Sequence, residues 1–136
     1  MPQAKLSVLF VCVGNSGRSR MATGWLTHLA GDRVEVRSAG SAPADAVNPT
    51  AAAVMREVGI DITGADPKLL TTEAVAASEV IVTMGCGDVC PVLPGKRYED
   101  WEFDDLPGLP VEAVRVIRDR IRERVECLIA ESVKTS

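Results

Sequence analysis

Basic charge, aromatic side chains and long apolar runs are all scarce in this sequence, and each shortage excludes a class of function. Fifteen Lys and Arg stand against nineteen Asp and Glu, a formal net charge of −4, whereas a nucleic-acid binder shows a basic patch or stripe. Two Trp, one Tyr and two Phe are too few for a platform on which bases stack. The longest apolar stretch, Leu6 to Val13 interrupted by Ser7, falls far short of the roughly 20 residues that cross a bilayer. It also lacks the basic flank and small-residue cleavage site of a secretory signal. Four cysteines (Cys12, Cys86, Cys90, Cys127) are too few for a disulfide-stapled scaffold. The chain is therefore expected in the cytoplasm, with reduced thiols free for chemistry and with neither nucleic acid nor membrane as partner. No global field attracts anions, so an anionic substrate must be held by a local site.

What is present fits a single domain covering residues 1–136, with 46% apolar and 25% charged residues. Leu6 to Val11 reads as a strand buried on both faces. A helix follows from Arg18 to Ala30, stopped by Gly31-Asp32. Val34 to Arg37 alternates as a second strand ending in Ser38-Ala39-Gly40. Asn48 caps a helix with Pro49 at its first position, running through Val58 to a stop at Gly59. Asp66-Pro67 repeats that start signal for a helix reaching Ala76-Ala77. Val80 to Met84 is a third buried strand, and Lys96 to Trp101 a fourth, more polar and so at an edge. From Pro110 to Val133, Val114, Ile117, Ile121, Val125 and Leu128 form the apolar stripe of a long closing helix. The alternation predicts an α/β fold: one three-layer domain, a four-stranded parallel sheet with helices on both faces. Ligands of such sheets bind at the carboxyl ends of the strands. Three unusual segments fall there: Cys12–Arg18, Ser38–Gly40 and Met84–Pro91.

The first segment is a Cys-x5-Arg loop between a buried strand and a helix start. Such a turn points successive backbone N–H groups inward, a nest for a tetrahedral oxyanion at the positive end of the helix dipole. Val13, Gly14, Asn15, Ser16, Gly17 and Arg18 would line it, with Gly14 and Gly17 expected to supply positive φ angles. Arg18 can clamp two oxygens with its planar fork, and the same donors favour Cys12 as a thiolate nucleophile. A strand-end cysteine beside a nucleotide-type turn is the plainer alternative, although the Walker pattern is absent. A second constellation is the acidic run Glu99 to Pro107, which can place a proton-donating carboxyl over the thiolate or be a solvated loop. The third, Gly85 to Pro91, carries Cys86 and Cys90. Their Cys-x3-Cys spacing differs from the Cys-x2-Cys of common redox and zinc motifs. A thiol–disulfide relay with Cys12 is one reading of the pair; two unrelated buried cysteines is another. Cys127, beside the stripe of the closing helix, is expected in the core, and His28 is expected to be packed or at the surface.

The run Val11-Cys12-Val13-Gly14-Asn15-Ser16-Gly17-Arg18-Ser19-Arg20-Met21-Ala22 resembles the signature loop of the low-molecular-weight protein tyrosine phosphatase fold. More narrowly it is similar to that of the arsenate reductases of this fold, whose loop is also followed by Gly-Trp, here Gly24-Trp25. The likeness extends through Ser38-Ala39-Gly40, Asn48-Pro49, Val82-Thr83-Met84, Cys90-Pro91 and Trp101 to Asp105. It implies that Arg18 binds the oxyanion, that Ser19 donates to the thiolate, and that Asn15 supports the loop through a partner matching Ser38. The family places its acid four residues after a Trp and usually directly before Pro. Asp105 fits from Trp101, but Leu106 precedes Pro107, which leaves Asp104 in competition. The resemblance also implies a redox role for Cys86 and Cys90, a pair the phosphatases do not need. A Cys12–Cys86 disulfide would form as arsenite leaves, and a Cys86–Cys90 disulfide would then be reduced by a thioredoxin-like partner. Some of these reductases hold potassium through the Asn and Ser equivalents and two acids. Asn15 and Ser38 match, whereas the acidic positions fall on Thr23 and Lys68. No metal site is expected, and the Lys68 ammonium is the candidate for that space. The resulting expectation is an As(V)-to-As(III) reductase without metal or organic cofactor, monomeric, using an external thiol reductant. The alternatives are a small tyrosine phosphatase, or an arsenate–thiol transferase in which Cys12 alone works with a low-molecular-weight thiol and a glutaredoxin-like partner.

Overall fold

A computed structural model describes residues 6–15, 17–64, 67–84, 94–103 and 108–133. Its elements are β1 (Leu6–Cys12), α1 (Arg18–Ala30), a 3-10 turn (Gly31–Arg33), β2 (Val34–Gly40), α2 (Pro49–Glu57), α3 (Thr72–Ala76), β3 (Val80–Thr83), β4 (Arg97–Asp100) and α4 (Val111–Val133). Among the described residues, one sheet has the order β2-β1-β3-β4 with every pair parallel. Leaving β1 the chain moves to one side, and leaving β3 to the other. The end of β1 is thus a topological switch point, the crevice where open parallel sheets bind ligands.

The local chemistry of each element explains its limits. The Asn48 side chain accepts from the Ala51 N–H at 3.0 Å and Pro49 opens α2, as the sequence predicts. Two boundaries differ by more than a single residue. β2 runs on through Ser38-Ala39-Gly40, because its register against β1 continues until Gly40 faces Cys12. The helix expected from Pro67 begins only at Thr72, capped by the Thr71 hydroxyl. The residues before it are extended instead: Gly40 N–H donates to the Lys68 carbonyl and Leu70 N–H to the Gly40 carbonyl, each at 2.8 Å. A sheet-edge pairing has overridden the Pro start signal, whose Asp66 lies outside the described residues.

Helices cover both faces, unequally. On one face Val8, Phe10, Val82 and Met84 pack with Met21, Trp25 and Leu26 of α1, Val54 and Met55 of α2, and Val114, Ile121 and Val125 of α4. On the other, among the described residues, Leu9, Val11, Ala39 and Ile81 meet Val75 of α3 with half-buried Leu70, Ala74 and Tyr98. Trp101, just past β4, is 1% exposed, with its ring 5.6 Å from that of Phe10. β4 is the polar edge strand the sequence suggests. Cys127 is a correction: it is exposed on α4, not in the core. Leu128 and Val125 take the buried stripe, and Cys127 falls just outside the arc that the helical period turns inward. No helix among the described residues is long and apolar enough to cross a membrane.

Candidate active site

Cys12 is the last residue of β1 and is 2% exposed. The loop after it is tied down from one side by the segment following β2. The Ser41, Ala42 and Ala44 N–H groups donate to the carbonyls of Cys12, Val13 and Gly14 at 3.3, 2.8 and 2.9 Å. In a trans peptide the N–H points opposite to the C=O that precedes it. Anchoring those three carbonyls therefore turns the N–H groups of Val13, Gly14 and Asn15 the other way, as an anion nest requires. This approach is close enough to demand glycine at the end of β2. A Cβ on Gly40 would lie 2.5 Å from the Val13 carbonyl oxygen and 2.8 Å from the Asn15 nitrogen.

Among the described loop residues the positive φ falls on Asn15, at 49°, not on the glycines expected to supply it. Gly17 has φ −131°. Asn is tolerated in the left-handed region because its short amide can bond locally, and here both of its ends are used. Its Nδ2 donates to Ser19 Oγ at 2.9 Å, and its Oδ1 accepts from the Lys68 backbone N–H at 2.9 Å. Asn15 is fully buried. The loop support implied for Asn15 thus comes from Ser19 and from the Lys68 backbone, whereas Ser38 sits half-buried on β2 opposite Phe10.

Ser19 stands at the centre of the arrangement. Its hydroxyl lies 2.9 Å from Cys12 Sγ as well as from Asn15 Nδ2. Since the amide donates to the oxygen, the hydroxyl hydrogen is available to the sulfur, a charge-assisted bond when the sulfur is a thiolate. α1 starts beyond Gly17 with no side-chain cap and no acid in its first turn, in contrast to α2 and α3, which Asn48 and Thr71 cap. An uncapped N-terminus beside a nest is the place where an oxyanion is held. Arg18, 6% exposed, turns its Nη1 onto the Phe103 carbonyl at 3.0 Å. That bond links the loop to the segment leading into the acidic run.

Cys12, Asn15, Gly17, Arg18 and Ser19 are thus brought together, buried, at the carboxyl end of β1, with Val13 exposed and Gly14 half-buried at the rim. Ser16, Cys86, Cys90, Asp104 and Asp105 lie outside the described residues. Sequence reasoning missed three contributors. Lys68 acts through its backbone and leaves no side-chain signal. Phe103 acts through its carbonyl. Gly40 was flagged as a strand end, while its function is to admit the loop. The assembled groups can bind a tetrahedral oxyanion, present a sulfur nucleophile to its central atom, and stabilise the negative charge of both.

Known proteins resemble this chain in sequence and in fold. The sequence is 40% identical over 126 residues to "Arsenate reductase 2" of Staphylococcus haemolyticus, covering 90% of this chain and 95% of that one. A thioredoxin-dependent arsenate reductase of Corynebacterium glutamicum superposes with a TM-score of 0.88 at 40% identity, over 100% of this chain and 66% of that one. A structure described as an arsenate reductase in the phosphate-binding state gives a TM-score of 0.83 at 37% identity, over 93% and 98% of the two chains. The model of the low molecular weight phosphotyrosine protein phosphatases matches residues 7–136. With the match running from β1 through the last helix, the chain belongs to the low molecular weight phosphotyrosine protein phosphatase family.

Proposed function

We propose that this protein is a thiol-dependent arsenate reductase, reducing As(V) to As(III) with Cys12 as nucleophile. The observation that carries the reading is the Cys12 sulfur 2.9 Å from the Ser19 hydroxyl at the mouth of an uncapped helix. The similarity to named arsenate reductases supports it over the phosphatase alternative. The Cys12 thiolate attacks arsenic held by the loop and Arg18. Arsenic loses a hydroxyl as water, protonated by Asp105 or its neighbour Asp104. The Cys86 thiolate then attacks Cys12 Sγ, and the electron pair of the sulfur–arsenic bond passes to arsenic. Arsenite leaves and a Cys12–Cys86 disulfide remains. Cys90 attacks Cys86, frees Cys12, and the Cys86–Cys90 disulfide is reduced by the dithiol of a thioredoxin-like protein. The chain's own residues supply binding, nucleophiles and protons, with no metal or organic cofactor in the scheme. The protein works as a monomer in a compartment where a thiol reductant is maintained, the cytoplasm.

Single-turnover mixtures with arsenate, analysed by peptide mapping, test the relay. Cys90→Ser releases one equivalent of arsenite, accumulates the Cys12–Cys86 disulfide and stalls under thioredoxin. Cys86→Ser stalls earlier, at the arsenic adduct. If both variants turn over as fast as the parent with thioredoxin, the relay is wrong. If both work only with a small thiol, Cys12 acts alone as an arsenate–thiol transferase. Substantial turnover by Cys12→Ser would remove the nucleophile itself.

A further inference from the structure

A second concave site lies behind the catalytic loop. A cavity of about 700 Å³ runs between the outer edge of β2, one face of α1 and the residues 59–64 and 68–71. Its size is that of a small-molecule site, and Cys12, Val13 and Arg18 are not among its lining residues. The walls are largely apolar, with Val36, Ile60, Ile62 and Leu69. Positive charge converges on them from Arg20, Arg37 and Lys68, against the single acid Asp61 among the described lining residues. Arg20 braces the wall, donating to the Ile62 carbonyl at 3.0 Å. Asp61 is occupied, its Oδ1 accepting from both the backbone N–H and the hydroxyl of Thr63. Arg37 differs from these. Its Nη2 pairs with Glu35 at 3.3 Å, while its Nη1 is buried with no hydrogen-bond partner among the described residues.

A buried guanidinium N–H without an acceptor is costly, and buried polar groups are otherwise almost always satisfied. That Nη1 has no accessible surface where it stands, but the Arg37 side chain is 36% exposed on the cavity wall and can turn to meet an acceptor that a ligand brings. An inorganic anion would leave the apolar walls wet, and a neutral apolar molecule would bring no acceptor for the Arg37 Nη1. We infer that this cavity binds a small organic anion, with its carboxylate, sulfonate or phosphate on Arg37 and Lys68 and its apolar body against Val36, Ile60 and Ile62. The wall that would hold it is joined to the catalytic loop through Lys68, whose backbone N–H holds Asn15.

The probe is 8-anilinonaphthalene-1-sulfonate, which combines an anionic head with an apolar body, titrated into the folded protein and followed by fluorescence. Saturable one-to-one binding is expected for the parent and, unchanged, for Arg18→Ala, which disables only the oxyanion loop. Arg37→Leu is expected to weaken it at least about tenfold, the loss of one charge-assisted hydrogen bond. Leu69→Glu, at a wall position 60% exposed and so harmless to folding, places a negative charge beside the head group and is expected to weaken binding comparably. If Arg37→Leu fails to fold, Leu69→Glu carries the test alone. Absence of saturable binding by the parent overturns the proposal. So does loss of binding in Arg18→Ala, or parental affinity in the folded Arg37 and Leu69 variants.

Discussion

Removing the Ser19 hydroxyl deprives two partners at once, the sulfur of Cys12 and the amide of Asn15, both within 2.9 Å. Ser19→Ala leaves a buried Nδ2 without its acceptor and the thiolate without its donor, a cost of about 1–3 kcal/mol for each unsatisfied group. Turnover is therefore expected to fall about 10- to 100-fold, with the rate of Cys12 alkylation by iodoacetamide at neutral pH falling alongside it. Alkylation at the parental rate would mean the hydroxyl does not act on the sulfur. Gly40→Ala forces a methyl into the backbone of the catalytic loop, and overpacking of this kind costs about 1–3 kcal/mol. A lower Tm together with weaker oxyanion binding is expected; a fall in Tm with unchanged binding would show that the loop accommodates the methyl. At this scale the side chains that meet at the end of β1, Cys12, Arg18 and Ser19, were legible, because a short loop carries its character in its residue types. The conformation was not. Composition pointed to Gly14 and Gly17 for the left-handed angle, yet Asn15 takes it, because a hydrogen bond to Ser19 one turn on and another from distant Lys68 outweigh glycine's lack of preference. Cys127 misled for a related reason, since a residue one step off an apolar stripe faces solvent whatever its hydrophobicity.

Between elements, α2 and α4 are fastened by Glu57, which accepts from Arg115 and Arg118 at 2.7 and 2.9 Å. Hydrogen bonding from Arg115, above all, holds the Glu57 carboxyl below its usual range. A carboxylate with a depressed folded-state pKa stabilises the protein above its unfolded pKa, and that contribution fades as pH drops through the folded value. Glu57→Gln is thus expected to melt slightly below the parent at pH 7, the gap closing as the pH is taken below about 4. The pair is solvent-exposed, so the gap also shrinks in high salt. A gap that widens in acid would contradict the depressed pKa. The strands and the long helices were readable from periodicity and from caps such as Asn48. The late start of α3 was not, because the pairing of Lys68–Leu70 with Gly40 is a contact between residues far apart in sequence, and no local signal encodes it.

For the molecule as a whole, a ligand that binds only the native loop stabilises the entire fold by mass action, about 2.7 kcal/mol at one hundred times Kd. Phosphate or arsenate is expected to raise Tm in step with the logarithm of its concentration, and Arg18→Ala to abolish the response. A Tm indifferent to tens of millimolar oxyanion would count against the nest. The parallel α/β plan followed from the alternation of elements, while the strand order, with β1 at a switch point, needed the long-range pairings that sequence patterns leave unstated. The imbalance between the two faces of that sheet has a dynamic consequence. Among the described residues the layer on the α3 side is one short helix and a few half-buried side chains, so the opening of α3 requires far less apolar exposure than release of α1 or α4. Amide hydrogens of α3 and of Lys68 to Leu70 are expected to exchange with solvent well before those of β1. Each such opening also withdraws the Lys68 N–H from Asn15. The pace at which this thin layer breathes then sets how often the loop around the buried Cys12 is released from its brace, and isotope uptake in α3 is expected to keep time with modification of that thiol.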